Sequence, residues 1–208
     1  MNNIFVNTRS SIKVTGSKTI YFDPLELEEA LKDADIIFVT HEHYDHFSPE
    51  DIRKVMKDDT KVIVPASMLE VVKEKCPEVK SLYGILPGQS GVCEGVKYQG
   101  IPAYNIGKAF HPKEKNWVGY LVEMDGATYY AMGDTDVTLE AESVEADVMF
   151  VPVGGKYTMD AHEAAEFINQ KPRGLVVPIH YADPEACERF LGLLKPEVKT
   201  KYLFAIND

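Results

Sequence analysis

Cysteine is scarce in this chain: its 208 residues include only Cys76, Cys93 and Cys187, and none of them forms a C-x-x-C pair. An odd number of widely spaced cysteines argues against a disulfide framework and fits a reducing compartment. The sequence also has no run approaching the ~18 consecutive apolar residues that a membrane span requires, and its N-terminus carries no long apolar stretch. We therefore expect a cytoplasmic protein without a membrane partner.

Positive charge is in short supply as well. Lys and Arg together number 22 against 33 Asp and Glu, which gives a formal net charge of −11. Such a surface repels phosphate backbones, so we expect no nucleic-acid partner. The charge does not exclude a small anionic substrate, because a bound divalent cation can dominate the local field. The sequence leaves open whether the chain forms a homo-oligomer.

Low-complexity segments and short repeats are absent too. With 45% hydrophobic and 26% charged residues, the composition is that of an ordinary soluble globular protein. A chain of 208 residues can bury a core without disulfides, so we expect a single domain over residues 1–208.

Short apolar runs rich in Val and Ile alternate with helical patterns along the chain. Such runs predict buried strands, and Asp125-Gly126 between two of them is a strong hairpin signal. The predicted strands lie at residues 4–6, 12–14, 20–22, 36–39, 62–64, 120–124, 128–132, 148–153, 175–179 and 202–206.

Four helix starts are visible between these strands. Ser48 and Asp183 each precede a proline at the first helical position, a common N-terminal pattern. Ser67 opens a capping-box pattern, and Asp160 precedes an alanine-rich stripe that ends at Ile168. Strands and helices in this order predict an α/β (α+β) protein with sheets sandwiched between helices.

The residues that carry chemistry concentrate in the segment Thr40-His41-Glu42-His43-Tyr44-Asp45-His46, which holds three of the six histidines of the chain. The segment follows a predicted buried strand and precedes a capped helix, so it is a loop at the carboxyl end of a strand, where α/β sites usually lie. His41 and His43 project to the same side of an extended segment and can share a metal ion. Asp45 and His46 can face a second metal nearby.

Two more residues of metal-ligand type follow predicted strands. Asp134 comes after the strand at 128–132, and its two oxygens can bridge two cations. His180 comes after the strand at 175–179 and can complete the second site. Each residue also has an ordinary explanation that involves no metal, since Asp favours turns and His can simply end a strand. Together with the histidine loop, however, they predict a metal centre.

Six segments of the chain match one family pattern. They are Tyr21-Phe22-Asp23-Pro24, residues 40–46, Pro102-Ala103-Tyr104-Asn105, Gly133-Asp134-Thr135-Asp136, residues 152–155 with 157–160, and Pro178-Ile179-His180-Tyr181. In these segments the sequence resembles the metallo-β-lactamase superfamily, whose signature is H-x-H-x-D-H, and within it the small hydrolases related to ascorbate-6-phosphate lactonase.

This resemblance implies a four-layer αββα metallo-β-lactamase sandwich with the metals at one edge of the paired sheets. It implies that His41 and His43 bind one metal. The other metal would be bound by Asp45, His46 and His180, with Asp134 bridging. His43 stands where the diiron flavoproteins of the superfamily have Glu, which disfavours oxygen or nitric-oxide reduction.

One ligand of the family pattern is missing. Relatives supply a third histidine to the first metal from a Gly-His-Thr or Gly-His-Ser loop, and this chain has no such motif. Asn105 lies in the corresponding region and His111 is the nearest histidine, so either can complete the first site. We expect one or two divalent ions, with zinc as the first choice. An Asn ligand would favour Mn²⁺ or Fe²⁺, or leave the first metal loosely held or absent.

The resemblance and the ligand set predict a metal-dependent hydrolase in which a metal-bound hydroxide cleaves a small lactone, ester or phosphodiester. Asp45 and His180 are the candidate catalytic residues, with Asp45 orienting or deprotonating the water if only one metal is bound. Two alternatives stay open. One is a metal-dependent nuclease or phosphodiesterase, and the other is a non-catalytic module that binds a metal or a metabolite.

Side chains near the predicted centre are candidates for substrate binding. These candidates are Lys156, Tyr157, Asn105 and His111. Lys108 and Lys113, which flank His111, could also hold a substrate phosphate or carboxylate, although a solvated surface position is the simpler explanation for each of these two lysines and for Lys156.

Overall fold

The computed structural model of the chain describes residues 3–171 and 174–202, in which two six-stranded sheets pack face to face. The first sheet contains β1 (Asn3–Val6), β2 (Ile12–Thr15), β3 (Thr19–Phe22), β4 (Ala34–Phe38), β5 (Met56–Pro65) and β6 (Ser81–Ile85). The second contains β7 (Ser90–Cys93), β8 (Val96–Pro102), β9 (Val118–Met124), β10 (Ala127–Ala131), β11 (Val148–Pro152) and β12 (Leu175–Ile179).

The α-helices are α1 (Pro49–Val55), α2 (Leu69–Lys75), α3 (Leu139–Ser143), α4 (Ala161–Asn169) and α5 (Pro184–Leu193). Single 3₁₀ turns occur at Ala66–Met68 and Lys113–Lys115. Within the described ranges, no helix has the length and apolarity that crossing a bilayer demands.

Each sheet combines parallel and antiparallel strands. In the first sheet the strands lie in chain order, β1 to β3 as an antiparallel meander and β3 to β6 in parallel. The second sheet has the order β12-β11-β10-β9-β8-β7, in which β10 to β12 are parallel and β7 to β10 are antiparallel neighbours. Because β8 and β10 both pair antiparallel with β9, β8 points the same way as β10, β11 and β12.

Three apolar clusters define four layers. The central cluster lies between the two sheets and includes Phe38 and Phe150. A second cluster packs the first sheet against α1 and α2 and includes Ile52. The third packs the second sheet against α3, α4 and α5, with Phe167 and Phe190. The expected αββα sandwich is therefore confirmed.

Local signals in the sequence explain several of these elements. Asp125 and Gly126, with φ angles of 55° and 75°, form the two-residue turn that joins β9 to β10, as predicted. The Ser48 side chain caps α1 by accepting a hydrogen bond from the Asp51 amide. Asp160 caps α4 in a capping box.

Other predictions were wrong or incomplete. No side chain caps α2, which begins at Leu69 after a 3₁₀ turn, and Ser67 lies inside that turn. The predicted strands did not include β6, β7 or β8, because residues 81–102 mix polar and apolar side chains near the open edges of the sheets and show little alternation. The helix α3 was also missed. Apart from Tyr202, the strand predicted at 202–206 lies outside the described residues.

The carboxyl ends of six strands carry the chemically interesting residues. Asp23 follows β3, the histidine loop follows β4, the loop with His111 follows β8, Asp134 follows β10, Tyr157 follows β11 and His180 follows β12. Parallel strands present their carboxyl ends on one edge of a sheet. This topology brings residues that are distant in sequence to one edge of the sandwich.

Candidate metal centre

The first group of ligand atoms joins His41 and His43, from the loop after β4, to His111, from the loop after β8. One ligand atom of each residue lies within 4.8 Å of the others. His41 Nε2 is 3.2 Å from His43 Nδ1 and 3.3 Å from His111 Nε2. Three imidazole nitrogens at these separations can surround one divalent cation.

The second group joins Asp45 and His46 to His180 at the end of β12. Their ligand atoms also lie within 4.8 Å of one another. His180 Nε2 is 3.4 Å from Asp45 Oδ2, and the rings of His46 and His180 stack with centroids 5.1 Å apart. Two nitrogens and one carboxylate oxygen therefore offer a second cation position.

Asp134 lies between the two groups. Its Oδ1 is 3.1 Å from His46 Nε2 and 3.2 Å from His180 Nε2. Its Oδ2 is 3.2 Å from His111 Nε2 and 3.9 Å from His41 Nε2. Since one oxygen faces each group, this carboxylate has the geometry of a bridge between two cations.

Three buried polar atoms of this cluster have no hydrogen-bond partner among the described residues: His46 Nε2, His180 Nε2 and Asp134 Oδ1. An unsatisfied buried polar atom costs about 1–3 kcal/mol. A cation would satisfy all three at once, because each atom offers a lone pair when the imidazoles are neutral. The residues present therefore fit a divalent metal centre.

A buried carboxylate behind the loop orients two of the histidines. Asp23 Oδ2 accepts hydrogen bonds from His46 Nδ1 at 2.7 Å and from the Thr40 hydroxyl at 2.6 Å. Thr40 Oγ1 also lies 3.0 Å from His41 Nδ1, and because its hydrogen goes to Asp23 it can accept the His41 Nδ1–H. Both rings thus turn Nε2 towards the cluster, an arrangement that fixes the tautomer of a metal ligand.

In the metal-free protein these groups shift one another's pKa values. Burial and the neighbouring His46 hold the pKa of His41 well below its usual value. Burial also opposes charge on Asp134 and His46, but the attraction between the two outweighs it. The pKa of Asp134 is consequently well below its usual value and that of His46 well above. His41 is a ready neutral ligand, whereas His46 must release a proton before a metal can bind.

The buried ring of Trp117 packs against the first ligand group. Its ring centroid lies 4.9 Å from that of His41, 4.8 Å from His43 and 5.4 Å from His111. Packing against all three imidazoles limits their movement. His111 and His180 also have φ angles of 58° and 52°, a left-handed conformation that is costly outside glycine and is imposed by the surroundings.

The structure places His111, and not Asn105, beside His41 and His43. The Asn105 side chain donates from Nδ2 to the carbonyl of Tyr157 at 2.7 Å, and its backbone amide donates to the carbonyl of His111 at 2.8 Å. Asn105 therefore ties the loop after β8 to the loop after β11.

Lys108 is partly exposed, and its ammonium is held by other groups of the protein. Its ammonium bonds Asp136 Oδ1, and it also donates to the Thr158 carbonyl at 2.8 Å and to Glu163 Oε2 at 3.3 Å. The Ile106 amide donates to the other oxygen of Asp136 at 2.8 Å. These contacts fasten residues 105–111, and with them His111, to the segment after β10 and to the start of α4.

A cavity of about 220 Å³ opens over the cluster. It is lined by His43, Tyr44, Asp45, Phe110, His111, Asp134 and Tyr157. Of the residues predicted to bind substrate, Tyr157 and His111 line this cavity. Asn105 and Lys156 do not, and the Lys156 ammonium lies 5.0 Å from the centroid of the Tyr157 ring.

Sequence reasoning did not identify Asp23 and Trp117 as parts of the centre. Asp23 follows a strand, as Asp134 does, so the same signal was present. Trp117 carried no comparable signal, because its contact with three histidines depends on how the sheets bring distant loops together.

Comparisons with known proteins agree with this geometry. The family model for the beta-lactamase superfamily domain matches residues 8–180. A UPF0173 metal-dependent hydrolase of Pyrococcus horikoshii is 32% identical over 216 residues, covering 90% of this chain and 94% of that protein.

Two solved structures share the fold at lower identity. Igni18, a metallo hydrolase of Ignicoccus hospitalis, superposes with a TM-score of 0.76 at 22% identity, covering 98% of this chain and 95% of that one. The metallo-β-lactamase fold protein YhfI of Bacillus subtilis has a TM-score of 0.68 at 10% identity, with 94% and 88% covered. Both likenesses concern the fold alone. The extent of the family match and the identity to the Pyrococcus protein, however, mean that this chain belongs to the β-lactamase superfamily and, within it, to the UPF0173 family of metal-dependent hydrolases.

Proposed function

We propose that this chain is a metal-dependent hydrolase that holds two divalent cations and cleaves a small lactone, ester or phosphodiester. The observation that carries the proposal is the convergence of two ligand groups on Asp134, with His46 Nε2, His180 Nε2 and Asp134 Oδ1 buried and unsatisfied. When bound, the cations would lower the pKa of a water molecule and polarise a substrate oxygen.

Zinc is the first choice of metal. Five of the seven ligand-type side chains are histidines, and the other two are Asp45 and Asp134. Imidazole nitrogen suits zinc and also iron, whereas magnesium and calcium prefer sites built from oxygen. A centre with this donor set would also accept Mn²⁺ more weakly.

Asp45 is the residue best placed to move a proton. It lines the cavity, and His180 Nε2 lies 3.4 Å from its Oδ2. Burial acts to raise the pKa of Asp45, but the attraction of the neighbouring His180 and His46 outweighs it and keeps the pKa below its usual value. Asp45 is therefore ionised at neutral pH and can orient the attacking water, then carry its proton to the leaving oxygen.

Metal analysis combined with turnover tests the proposal. Protein stripped with a chelator would be reloaded with Zn²⁺, Mn²⁺ or Fe²⁺ and assayed on γ-butyrolactone, 4-nitrophenyl acetate and bis(4-nitrophenyl) phosphate. We expect up to about two metal ions per chain and turnover that returns with the metal. His46→Ala should lose turnover and about one of the two metal ions. His162→Ala removes an exposed histidine outside the cluster and should lose neither, so it is the matched control.

Three results would count against the proposal. Protein that takes up no transition metal and shows no turnover overturns it. Intact metal binding without turnover of any substrate favours a binding module instead. Metal-dependent cleavage of a labelled oligonucleotide, lost in His46→Ala, with no turnover of the small substrates would indicate a nuclease.

A further inference from the structure

The cavity over the ligand cluster has an aromatic wall. Phe110 and Tyr157 make an edge-to-face contact with ring centroids 4.7 Å apart, and their side chains are 42% and 37% exposed. Tyr44, 82% exposed, lines the same cavity. Aromatic rings left in contact with water beside a catalytic cluster offer apolar surface that a ligand can cover.

No ammonium or guanidinium is among the described side chains that line this cavity. The lysines of the neighbouring loop are paired with carboxylates: Lys108 with Asp136, Lys113 with Glu140 at 2.9 Å, and Lys115 with Glu42 at 3.2 Å. The charged groups that do face the cavity include the carboxylates of Asp45 and Asp134. The Lys156 ammonium lies outside the lining, 5.0 Å from the centroid of the Tyr157 ring. To the charge of any bound metals the lining itself therefore adds apolar rings and no cation, which favours an uncharged group against those rings.

The cavity is also small. Its volume of about 220 Å³ is below the ~300–1,000 Å³ of sites that enclose drug-sized ligands. A ring of phenyl size with the adjoining carbonyl group suits this space. Phe110 and Tyr157 offer such a ring both a face and an edge, the geometries that aromatic pairs prefer.

We propose that the substrate is an uncharged lactone or carboxylic ester bearing one aromatic or compact apolar group, which seats against Phe110 and Tyr157. This inference rests on the proposed hydrolase function and narrows it. Water adds its oxygen to the carbonyl carbon, the bond from that carbon to the ring or ester oxygen breaks, and the released alkoxide oxygen takes a proton. The products are a carboxylic acid and an alcohol, and nothing is oxidised or reduced.

A matched lactone series tests the inference. Zinc-loaded protein would be assayed on γ-butyrolactones that carry methyl, butyl or phenyl at the γ carbon, and on bis(4-nitrophenyl) phosphate. We expect kcat/KM to rise with the apolar group, with phenyl roughly tenfold above methyl. Phosphodiester turnover should be slower than that of any lactone.

Variants of Phe110 and Tyr157 show whether these two rings cause the preference for phenyl over methyl. Phe110→Ala and Tyr157→Ala should each lower the preference for phenyl over methyl by roughly tenfold, mainly through KM. Tyr157→Phe should keep the preference, because it retains the ring. Leu139→Ala is the matched control, since Leu139 is apolar, 81% exposed and outside the cavity lining. Metal content would be measured in each variant to show that the centre is intact.

The possible results separate this inference from the proposed function. Equal turnover of the three lactones, or a preference that survives in both alanine variants, overturns the inference and leaves the hydrolase proposal standing. Faster turnover of the phosphodiester than of every lactone does the same. Metal-loaded protein that cleaves none of these substrates overturns the proposed function and the inference together.

Discussion

The two ligand groups share Asp134 but are held in different ways. In the second group, His46 is fully buried and hydrogen-bonded to Asp23, which is fully buried at the end of β3. In the first group, His111 comes from a loop whose position depends on Lys108, and His43 is only partly buried. One metal position is thus built into the sandwich and the other depends on a loop, so the two should respond differently to mutation.

The largest effect is expected where the two groups meet. Asp134→Asn removes the charge that faces four histidines while keeping the shape of the side chain. Losing several kcal/mol of metal and transition-state stabilisation should reduce turnover by about a thousandfold or more and lower the metal content at both positions. Metal analysis and kcat/KM measure this, and retention of either metal at full occupancy would contradict a bridging role.

A second change should affect mainly the position that contains His46. Asp23→Asn weakens the hydrogen bond that orients His46. Loss of such an orienting partner typically costs about 10–100-fold in metal affinity. Titration with a metal-sensitive dye should therefore show a marked weakening at the site of His46 and a smaller change at the site of His41, which Asp23 reaches only through Thr40. If both sites weaken equally, the proposed independence of the two groups is wrong.

A third change should affect only the position that depends on the loop. Lys108→Met removes the ammonium that fastens residues 105–111, so the site containing His111 should bind metal about tenfold more weakly while the other is unchanged. Lys97→Met is the matched control, because Lys97 pairs with Glu123 at the far edge of the second sheet. If Lys108→Met and Lys97→Met weaken metal binding equally, Lys108 does not hold the His111 loop in position.

The smallest expected effect is the dependence of metal binding on pH, which arises from the proton held by His46. In the metal-free protein, Asp134 and Asp23 outweigh burial and raise the pKa of His46 well above its usual value. This charge interaction stabilises the fold at pH below the ordinary histidine pKa and is lost as pH rises through the raised value. Metal must displace the proton, so metal affinity should rise with pH.

Calorimetry in buffers with different ionisation enthalpies measures this proton release. We expect about one proton released per chain when the second position fills. Repeating the titration with Asp23→Asn should reduce the release, because one of the two carboxylates that raise the pKa of His46 is then neutral. A binding enthalpy that does not depend on the buffer would contradict the account.

The two ligand groups also differ in how well the sequence alone could predict their residues. Asp45, His46, Asp134 and His180 directly follow strands or belong to one short motif, so their approach follows from strand order alone. His111 follows β8, which was not predicted, and it sits nine residues beyond the end of that strand. Its position depends on a positive φ and on the contacts of Lys108, and neither is visible in a single sequence.

The strands of the fold likewise fall into those that the sequence predicted and those that it did not. The strands β4 and β11, which have a neighbour on both sides, contain continuous apolar runs and were predicted closely, and so was β12, an edge strand whose residues are apolar and mostly buried. The edge strands β6 and β7 carry polar and exposed residues, since one side of each has no neighbouring strand, and they give little periodic signal. The four-layer arrangement came from the family resemblance, and the packing of the three apolar clusters explains it physically.

A crystal structure of the metal-loaded protein, with anomalous data collected above and below the absorption edge of the metal, is the sharpest test of the two-metal centre. We expect two anomalous peaks. One should lie among His41, His43 and His111, the other among Asp45, His46 and His180, and both should contact Asp134. A single peak, or a metal held by Asn105 with His111 turned away, would contradict it.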